Sequence, residues 1–380
     1  MTDLLWPGDA RAGDLFTDES VVAAMVAVES AWLAARGFAP QLSGIADLGE
    51  LHEEGGGNPV IPLLGVLRSR NPAVADHLHT GLTSQDVLDT ALVLCLRSVT
   101  AKTRQNLDQQ VYALARLADR HRRTRMVART LTQHAIPTTF GLKAATWLNA
   151  VLDARETLAA AADLPVQIGG AAGTLAAPSA IAGSPESALG LVGAAARLLG
   201  LRDRPPWHTA RAPFTRIADA FVTCTDAWGK VANDVLLASR PEIGELSEPV
   251  TEGRGGSSAM PNKRNPVLSV LIRRAALAAP PLAATMHLAA ATAIDERPDG
   301  AWHVEWATLR TLSRRTVVAA EQTTELVSGL VVHADRMATT LAAAYPGVDA
   351  ERRKIGGELP YLGANDQLID AALARAEGKP

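Results

Sequence analysis

The chain is poor in cysteine and aromatic residues, and neither sign of charge is in clear excess. Cys95 and Cys224 are its only cysteines, which excludes a disulfide scaffold or a cysteine-based zinc cluster and favours a reducing compartment. A formal net charge of −3 excludes binding to nucleic acid through a strongly basic surface. The first residues are partly acidic and lack the apolar segment of a signal peptide. We therefore expect a cytoplasmic protein without nucleic acid as a partner.

One long segment, Ala275–Ile294, lacks any charged residue and has the length of a membrane span. It is dominated by alanine, a weak driver of insertion, and contains Pro280, Pro281 and His287. The composition favours a buried helix of a helical bundle over a membrane span. We expect no membrane partner.

Helical periodicity dominates the chain, and no long alternation of β-branched and polar residues predicts a sheet. One heptad-like seam runs through 211–240 with apolar residues spaced by four and three: Ile217, Phe221, Cys224, Trp228, Val231 and Val235. The predicted fold class is all-α, with long packed helices. Given 380 residues with 47% hydrophobic content, the core can be large.

Breaks rich in glycine and proline divide the chain. The expected parts are an N-terminal helical domain (1–95), a central long-helix bundle (96–335) and a vestigial C-terminal segment (336–380), within which a short tail is expected to begin at Tyr345. The break at 241–266 is unusually long, and long loops in compact proteins are often functional. It is the first place to look for chemistry.

That break contains the Gly-rich loop 252–266. Its glycines permit positive φ, while Lys263, Arg264 and Asn265 offer donors to an anion. The spacing differs from that of a Walker loop, and Pro266 suits the first turn of a helix beginning at Val267. A flexible solvated loop is an equal alternative when the segment is considered alone.

A second polar segment, 79–91, has Thr83 or Ser84 at a helix N-cap and Asp86 in the first turn. A well-capped helix explains this pattern without any binding or catalytic role. The alternative is an anion site at the helix N-terminus, lined by His79, Thr83 and Ser84.

A third segment, 129–143, groups Thr130, Thr132, Gln133 and His134 just before Pro137 and a new helix. A lone histidine is more often a hydrogen-bonded structural residue than a catalyst. His134 is therefore either a structural residue or an acid–base group. The histidines show no metal-binding spacing, and no GxSxG motif predicts a serine hydrolase.

Taken together and in this order, the three segments resemble the three signature regions of the fumarase/aspartase superfamily. GGSSAMPNKRNP (255–266) is similar to its GSSxMPxKxNP loop, and the similarity extends from Leu15 to about Thr340. Within the superfamily the chain most resembles the 3-carboxy-cis,cis-muconate cycloisomerases, through motifs such as GLTSQDVLDTA (81–91) and GAWHVEW (300–306). Nitrosuccinate lyases are another close branch. Adenylosuccinate lyases normally carry basic residues just after KRNP, and 267–271 has none.

The resemblance implies an elongated long-helix bundle, here with a much reduced C-terminal domain, that forms a homotetramer whose active sites are shared between subunits. It implies a small di- or tricarboxylate substrate, with no metal and no cofactor. Superfamily members move a proton at a carbon beside a carboxylate, through an aci-carboxylate stabilised by many donors.

The resemblance also implies roles for individual residues. Ser257 would be the base that moves the carbon proton, stabilised by loop N–H groups and Lys263. His134 matches the general acid of adenylosuccinate lyases and would act as an acid or orient the leaving carboxylate. The carboxylate ligands would be His79, Thr83, Ser84, Thr130, Gln133, Lys263 and Asn265. Arg297 is a further candidate ligand, with a solvated surface charge as the equal alternative.

The expected activity is conversion of 3-carboxy-cis,cis-muconate to 4-carboxymuconolactone in protocatechuate (β-ketoadipate) catabolism. The alternative is a lyase that eliminates fumarate from a substituted succinate, as nitrosuccinate or adenylosuccinate lyases do. A non-catalytic structural homologue is the third possibility, disfavoured because Ser257, His134, Lys263 and Asn265 occur together.

Overall fold

The computed structural model describes residues 3–39, 42–44, 47–256, 260 and 263–378. Within those ranges it is dominated by helices, which confirms the all-α prediction. The helices are α1 (Asp18–Ala35), α2 (Val60–Arg70), α3 (Ser84–Arg120), α4 (Phe140–Ala161), α5 (Ala176–Ala182), α6 (Pro185–Leu199), α7 (Ala212–Ala238), α8 (Val267–Ala291), α9 (Gly300–Ser328), α10 (Ala334–Val348), α11 (Ala350–Ile355) and α12 (Asn365–Ala376). The strands are β1 (Arg125–Thr130), β2 (Gln133–Thr139), β3 (Leu246–Ser247) and β4 (Val331–Val332).

The chain divides into two compact units, and each is built from three separate stretches. Unit 1 comprises Met1–Lys102, Leu158–Phe221 and Pro280–Val317, and unit 2 comprises Thr103–Thr157, Val222–Ala279 and Val318–Pro380. The boundaries fall within α3, α4, α7, α8 and α9. The three-part division expected from the sequence stays a prediction.

In unit 1, α1 packs against α6, and both helices begin at hydroxyl caps. The Thr17 side chain accepts from Ser20 N, and the Ser184 side chain accepts from Ser187 N. Trp32 of α1 is fully buried. The hydroxyl caps mark the starts of α1 and α6, and Trp32 buries one side of α1 in unit 1.

Helix α7 confirms the predicted seam. All six of its spaced apolar residues are fully buried, at 0% exposure: Ile217, Phe221, Cys224, Trp228, Val231 and Val235. Spacings of four and three place such residues on one helical face, so one side of α7 supplies core along its length.

Helix α8 begins at Val267, as Pro266 predicted, but it is buried on one face only. A third of its most apolar window is buried, while Leu277 and Leu288 are 69% and 67% exposed. Among the described residues it is the one helix whose length and composition would allow it to cross a membrane, a test that core helices of soluble proteins also pass. The expectation of a buried helix is therefore correct for one face of α8, while the other face is exposed in the single chain.

In unit 2, β1 and β2 form an antiparallel hairpin that the sequence did not predict. Val127 of β1 packs with Leu341 and Val348 of α10. Helix α10 continues through Pro346, so the tail begins later than the Tyr345 position expected. A second small sheet pairs β3 with β4.

Candidate active site

The first signature segment forms the N-terminus of α3 in unit 1. Thr83 occupies the cap position, its backbone N–H donates to Asp86 Oδ2 at 3.0 Å, and Asp86 N donates to Thr83 O. An acidic residue in the first turn thus reaches back to the cap, as in a capping box. The hydroxyl of Thr83 is left for another partner, the guanidinium of Arg297.

Asp86 does more than complement the helix dipole, because its fully buried carboxylate organises a second loop. It accepts hydrogen bonds from Gly169 N and Gly170 N, both at 2.9 Å, and contacts His208 Nε2 at 2.8 Å. His208 is 4% exposed, and its ring contacts Asp86 in the interior of unit 1.

A buried charge cluster lies one turn further along α3. Arg211 donates to Asp89 Oδ2 at 2.6 Å and to Glu305 Oε2 at 2.5 Å. Trp302 Nε1 donates to Asp89 Oδ1 at 2.9 Å. Burial raises the pKa of the Glu305 carboxyl above its ordinary value. In unit 1 this cluster therefore connects α3 and α9 through Arg211, the residue just before α7.

His79 lies before the cap, with Nδ1 2.7 Å from Glu29 Oε1 and its backbone N–H donating to Glu29 Oε2 at 3.0 Å. The structure thus brings four predicted ligands together in one part of unit 1: His79, Thr83, Ser84 and Arg297. Arg297 is half-buried and contacts the Thr83 hydroxyl, and its role as a substrate ligand stays a prediction.

The second segment is the tip of the β1–β2 hairpin in unit 2. Thr130 pairs with Gln133, and the two turn residues between them, Leu131 and Thr132, have φ of 48° and 70°. Positive φ at a β-branched residue is strained, and such strain clusters at functional sites. Thr130, Gln133 and His134 are all exposed. The hairpin therefore presents its polar groups outward.

The third segment is a loop whose two ends are joined. Asn265 N donates to Gly255 O at 2.8 Å, and Lys263, exposed, donates its backbone N–H to Met260 O at 3.1 Å. Ser257, the predicted base, lies outside the described residues. Asn265 and Lys263 are thus the candidate ligands of this loop that the structure describes.

Two acidic residues anchor the stretch that leads into the loop. Arg129, at the end of β1, holds Glu245 with both guanidinium prongs. Glu248 caps α8 by accepting from Leu268 N at 3.0 Å and Ser269 N at 2.6 Å. Unit 2 therefore links the end of β1 to the segment preceding the loop. Local sequence patterns do not indicate these pairings, which join residues more than 15 positions apart.

A small cavity of about 70 Å³ lies beside this link and includes Arg129, Lys143, Asp234 and Glu245 in its lining. Lys143 Nζ is 3.7 Å from Asp234 Oδ2. Burial lowers the pKa of the Lys143 ammonium group, although the neighbouring carboxylate opposes the shift. Lys143 is a half-buried charged residue at the end of the second signature segment.

Across the ranges that the structure describes, no three His, Cys, Asp or Glu side chains are grouped to hold a metal ion. Unit 1 contains the candidate ligands of the first segment together with Arg297, and unit 2 contains those of the other two segments. Sequence reasoning did not indicate two buried carboxylates, Glu29 beside His79 and Glu245 beside Arg129, nor the contacts of Asp86 with Gly169 and Gly170.

Comparison with known proteins agrees with the long-helix fold and the three segments. A family model described as lyase matches residues 54–279. The chain is 48% identical over 306 residues to a nitrosuccinate lyase of Streptomyces davaonensis, covering 78% of this chain and 64% of that relative. It is 40% identical over 334 residues to a 3-carboxy-cis,cis-muconate cycloisomerase of Pseudomonas aeruginosa, covering 84% of this chain and 70% of the relative.

Among solved structures, 3-carboxy-cis,cis-muconate lactonizing enzyme from Pseudomonas putida superposes with a TM-score of 0.84 at 31% identity, covering 98% of this chain and 88% of that one. These similarities define the class of the protein, a helical lyase. The chain belongs to the fumarase/aspartase superfamily of lyases. It spans less than two thirds of the nitrosuccinate lyase it matches.

Proposed function

We propose that the protein is an enzyme that eliminates nitrite from nitrosuccinate to release fumarate. The observation that carries this choice is the identity of 48% to a nitrosuccinate lyase, against 40% to cycloisomerases. This difference in identity supports elimination from a substituted succinate, which the sequence analysis gives as the alternative, over the lactonising reaction that it expects first.

Ser257 takes a proton from the methylene carbon beside one carboxylate of nitrosuccinate. The electron pair left on that carbon is delocalised into the carboxylate as an aci-carboxylate, then forms the double bond as nitrite departs from the neighbouring carbon. The increased carboxylate charge requires donors that are already in place, and Lys263, Asn265, Thr130 and Gln133 supply them. His134 assists the departure of nitrite, as an acid or by orienting it.

Ligands of the first signature segment hold the second carboxylate. Thr83 at the N-terminus of α3, His79 and Ser84 lie with Arg297, whose planar guanidinium suits a carboxylate. A dicarboxylate substrate thus matches two sets of donors, and no cofactor enters the reaction.

The decisive experiment incubates the purified protein with nitrosuccinate and measures fumarate and nitrite in equal amounts. Ser257→Ala is expected to slow turnover by about 10²–10⁴-fold. Ser69→Ala, on α2 with its hydroxyl bonded to Val66 O, is the control and keeps wild-type turnover. Absence of both products, or full activity of Ser257→Ala, overturns the proposal.

The cycloisomerase reaction is the second candidate, favoured by the TM-score of 0.84 to the Pseudomonas putida lactonizing enzyme. In that direction a substrate carboxylate attacks the internal alkene and Ser257 returns the proton to carbon. The attack is intramolecular, so positioning supplies much of the rate. Loss of the ultraviolet absorbance of 3-carboxy-cis,cis-muconate, without fumarate or nitrite from nitrosuccinate, decides for this candidate.

We also infer a homotetramer in the cytoplasm, with sites shared between subunits. Support comes from α8, whose apolar residues Leu277 and Leu288 are exposed in the single chain. The two cysteines are buried free thiols, as a reducing compartment favours. Light scattering is expected to give four chains, and mixing Ser257→Ala with His134→Gln is expected to restore activity that neither variant has alone.

A further inference from the structure

Four polar residues in the first two turns of α3 are fully buried. Gln85, Asp86, Asp89 and Thr90 all have 0% exposure. Gln85 Nε2 donates to Asp89 Oδ2 at 3.1 Å, and Thr90 Oγ1 donates to Gln167 O at 2.9 Å. Burying polar groups costs free energy unless they are hydrogen-bonded, whereas a connected network holds a segment in one arrangement. The start of α3 is therefore held in place by buried hydrogen bonds.

Asp86 is the member of this network that joins α3 to a distant turn. Its Oδ2 accepts from Gly170 N at 2.9 Å and from Thr83 N at 3.0 Å, and its Oδ1 accepts from Gly169 N at 2.9 Å. His208 Nε2 lies 2.8 Å from the same Oδ1. Backbone N–H groups only donate, so both oxygens of Asp86 are acceptors. One carboxyl group therefore holds the turn and the cap residue of α3 together.

The turn at Gly169 and Gly170 lies too close to its neighbours for larger residues. A Cβ on Gly169 would lie 2.7 Å from His208 Cε1, and a Cβ on Gly170 would lie 3.4 Å from Gly81 O. Gly81 stands two residues before Thr83. The turn thus packs against the segment that leads into α3, and Asp86 connects the two.

The hydroxyl of Thr83 is used differently from that of an ordinary cap residue. At most helix starts the cap hydroxyl accepts an N–H of the first turn. Here Asp86 N donates to Thr83 O at 3.0 Å, and the hydroxyl accepts from Arg297. A hydroxyl has one proton, which points away from the donor that its oxygen accepts. Thr83 therefore has a proton to donate, and an ionised carboxylate is a pure acceptor.

We propose that Asp86 is a positioning residue of the substrate site, which holds the start of α3 against the Gly169–Gly170 turn so that the Thr83 hydroxyl donates to a substrate carboxylate. The proposal rests on the dicarboxylate chemistry proposed above. It adds the turn at 169–170, which lies outside the three signature segments, to the groups that determine substrate binding.

Binding of fumarate, used as a dicarboxylate probe, tests the proposal without turnover. Asp86→Asn places an amide NH2 against N–H donors whichever way the side chain turns. The Kd of fumarate from titration calorimetry is expected to rise about 10–100-fold, the effect typical of a hydrogen bond to a charged group. Asp219→Asn is the matched control: Asp219 Oδ1 lies 3.0 Å from His287 Nε2, but the two side chains are 57% and 53% exposed. We expect a wild-type Kd for this control.

A double-mutant cycle separates positioning from stability. Thr83→Val removes the hydroxyl at similar shape, and Thr83→Ser keeps it. Asp86→Asn is expected to add nothing to the Kd of Thr83→Val, because it acts through that hydroxyl, although it lowers the Tm in both backgrounds. Thr83→Ser is expected to keep most of the affinity. A lower Tm with an unchanged Kd in Asp86→Asn, or effects on the Kd that add independently, overturns the proposal.

Gly169→Ala tests the same contact from the turn, and it replaces Asp86→Asn if that variant does not fold. The added Cβ would collide with His208, so the turn is displaced from Asp86 and the Kd of fumarate is expected to rise about 10-fold. Gly190→Ala, on α6, is the control, because a Cβ there has nothing within 4 Å. A wild-type Kd in Gly169→Ala contradicts the role of the turn.

Kinetics separate this proposal from the proposed function. In an active enzyme, Asp86→Asn is expected to raise KM more than it lowers kcat. A protein inactive on nitrosuccinate and on 3-carboxy-cis,cis-muconate, whose Kd for fumarate still depends on Asp86 through Thr83, contradicts only the proposed function. An active protein with wild-type KM and Kd in Asp86→Asn and Gly169→Ala contradicts only the positioning role. A wild-type protein that neither binds fumarate nor converts either compound contradicts both.

Discussion

Arg129 and Glu245 form a two-pronged ion pair, with Nη1 to Oε2 and Nη2 to Oε1 both at 2.9 Å. The Arg129 side chain is 15% exposed and that of Glu245 is fully buried. The pair joins the hairpin that carries His134 to the segment leading into the Gly-rich loop. Bidentate geometry fixes direction as well as distance, so one interaction orients both segments.

Glu245→Ala is expected to lower the free energy of unfolding by about 3–5 kcal/mol, because it leaves a largely buried guanidinium without its counter-charge. Urea denaturation measures the change. Asp108→Ala is the control: its pair with Arg155 spans 3.4 Å and the side chains are 52% and 28% exposed, so a loss below about 1 kcal/mol is expected. Equal losses in the two variants would contradict the importance of the Arg129 pair.

Gly255→Ala is expected to reduce turnover by about 10²-fold, because an added Cβ would displace the end of the Gly-rich loop, which carries the proposed base Ser257. Gly255 has φ +75°, and a Cβ there would lie 2.7 Å from Asn265 O. Gly253 has a similar φ of +77° but nothing within 4 Å. Gly253→Ala therefore shares the backbone strain without the collision. Steady-state rates of the two variants isolate the contact, and a similar loss in both would refute it.

Local sequence patterns were sufficient for the long helices. The seam from Ile217 to Val235 repeats every three or four residues, and Pro266 marks the start of α8, so both features are readable without knowledge of the fold. The hairpin lacks such signals. Its turn residues, Leu131 and Thr132, replace the Gly or Asn that positive φ normally selects, and its exposed polar tip hides the alternation of a strand.

The candidate ligands could be proposed from sequence motifs, whereas the side chains that contact them could not. His79 and Thr83 stand in a recognisable motif, whereas Glu29 is 50 positions away from the histidine it holds. Partners of buried carboxylates are chosen by tertiary packing, which brings distant segments together without a local pattern. Arg297 illustrates the same limit, since its contact with Thr83 joins residues 214 positions apart.

Neither cysteine is expected to react with an aromatic disulfide reagent at pH 8 while the protein is folded. Burial raises the pKa of the Cys95 thiol to about 11 and that of Cys224 to about 12, and the reactive thiolate is scarce below those values. Unfolded thiols ionise near pH 8.5–9, so this contribution to stability is present below that range and is lost as pH rises towards 11–12. Two thiols should react after denaturation; a rapid reaction of the native protein would contradict the burial.

The C-terminal helix α12 supports the hairpin that carries His134, through Asn365. Its Oδ1 accepts from Thr139 Oγ1 at 2.9 Å, and the two side chains are almost fully buried. Thr139 is the last residue of β2, and its Oγ1 also accepts from Leu142 N at 3.2 Å. The bond therefore fixes the strand end and the start of α4 together.

Asn365→Ala is expected to lower the free energy of unfolding by about 1–3 kcal/mol, since a buried hydroxyl loses its acceptor. Amide hydrogen exchange should accelerate along β2, and turnover should fall because His134 is held less firmly. Arg375→Ala is the control on the same helix: its ion pairs to Asp153 and Glu156 are exposed, so a loss below about 1 kcal/mol and unchanged exchange in β2 are expected. If Asn365→Ala destabilises the protein but leaves β2 exchange and turnover as in the wild type, α12 stabilises the unit without supporting the hairpin.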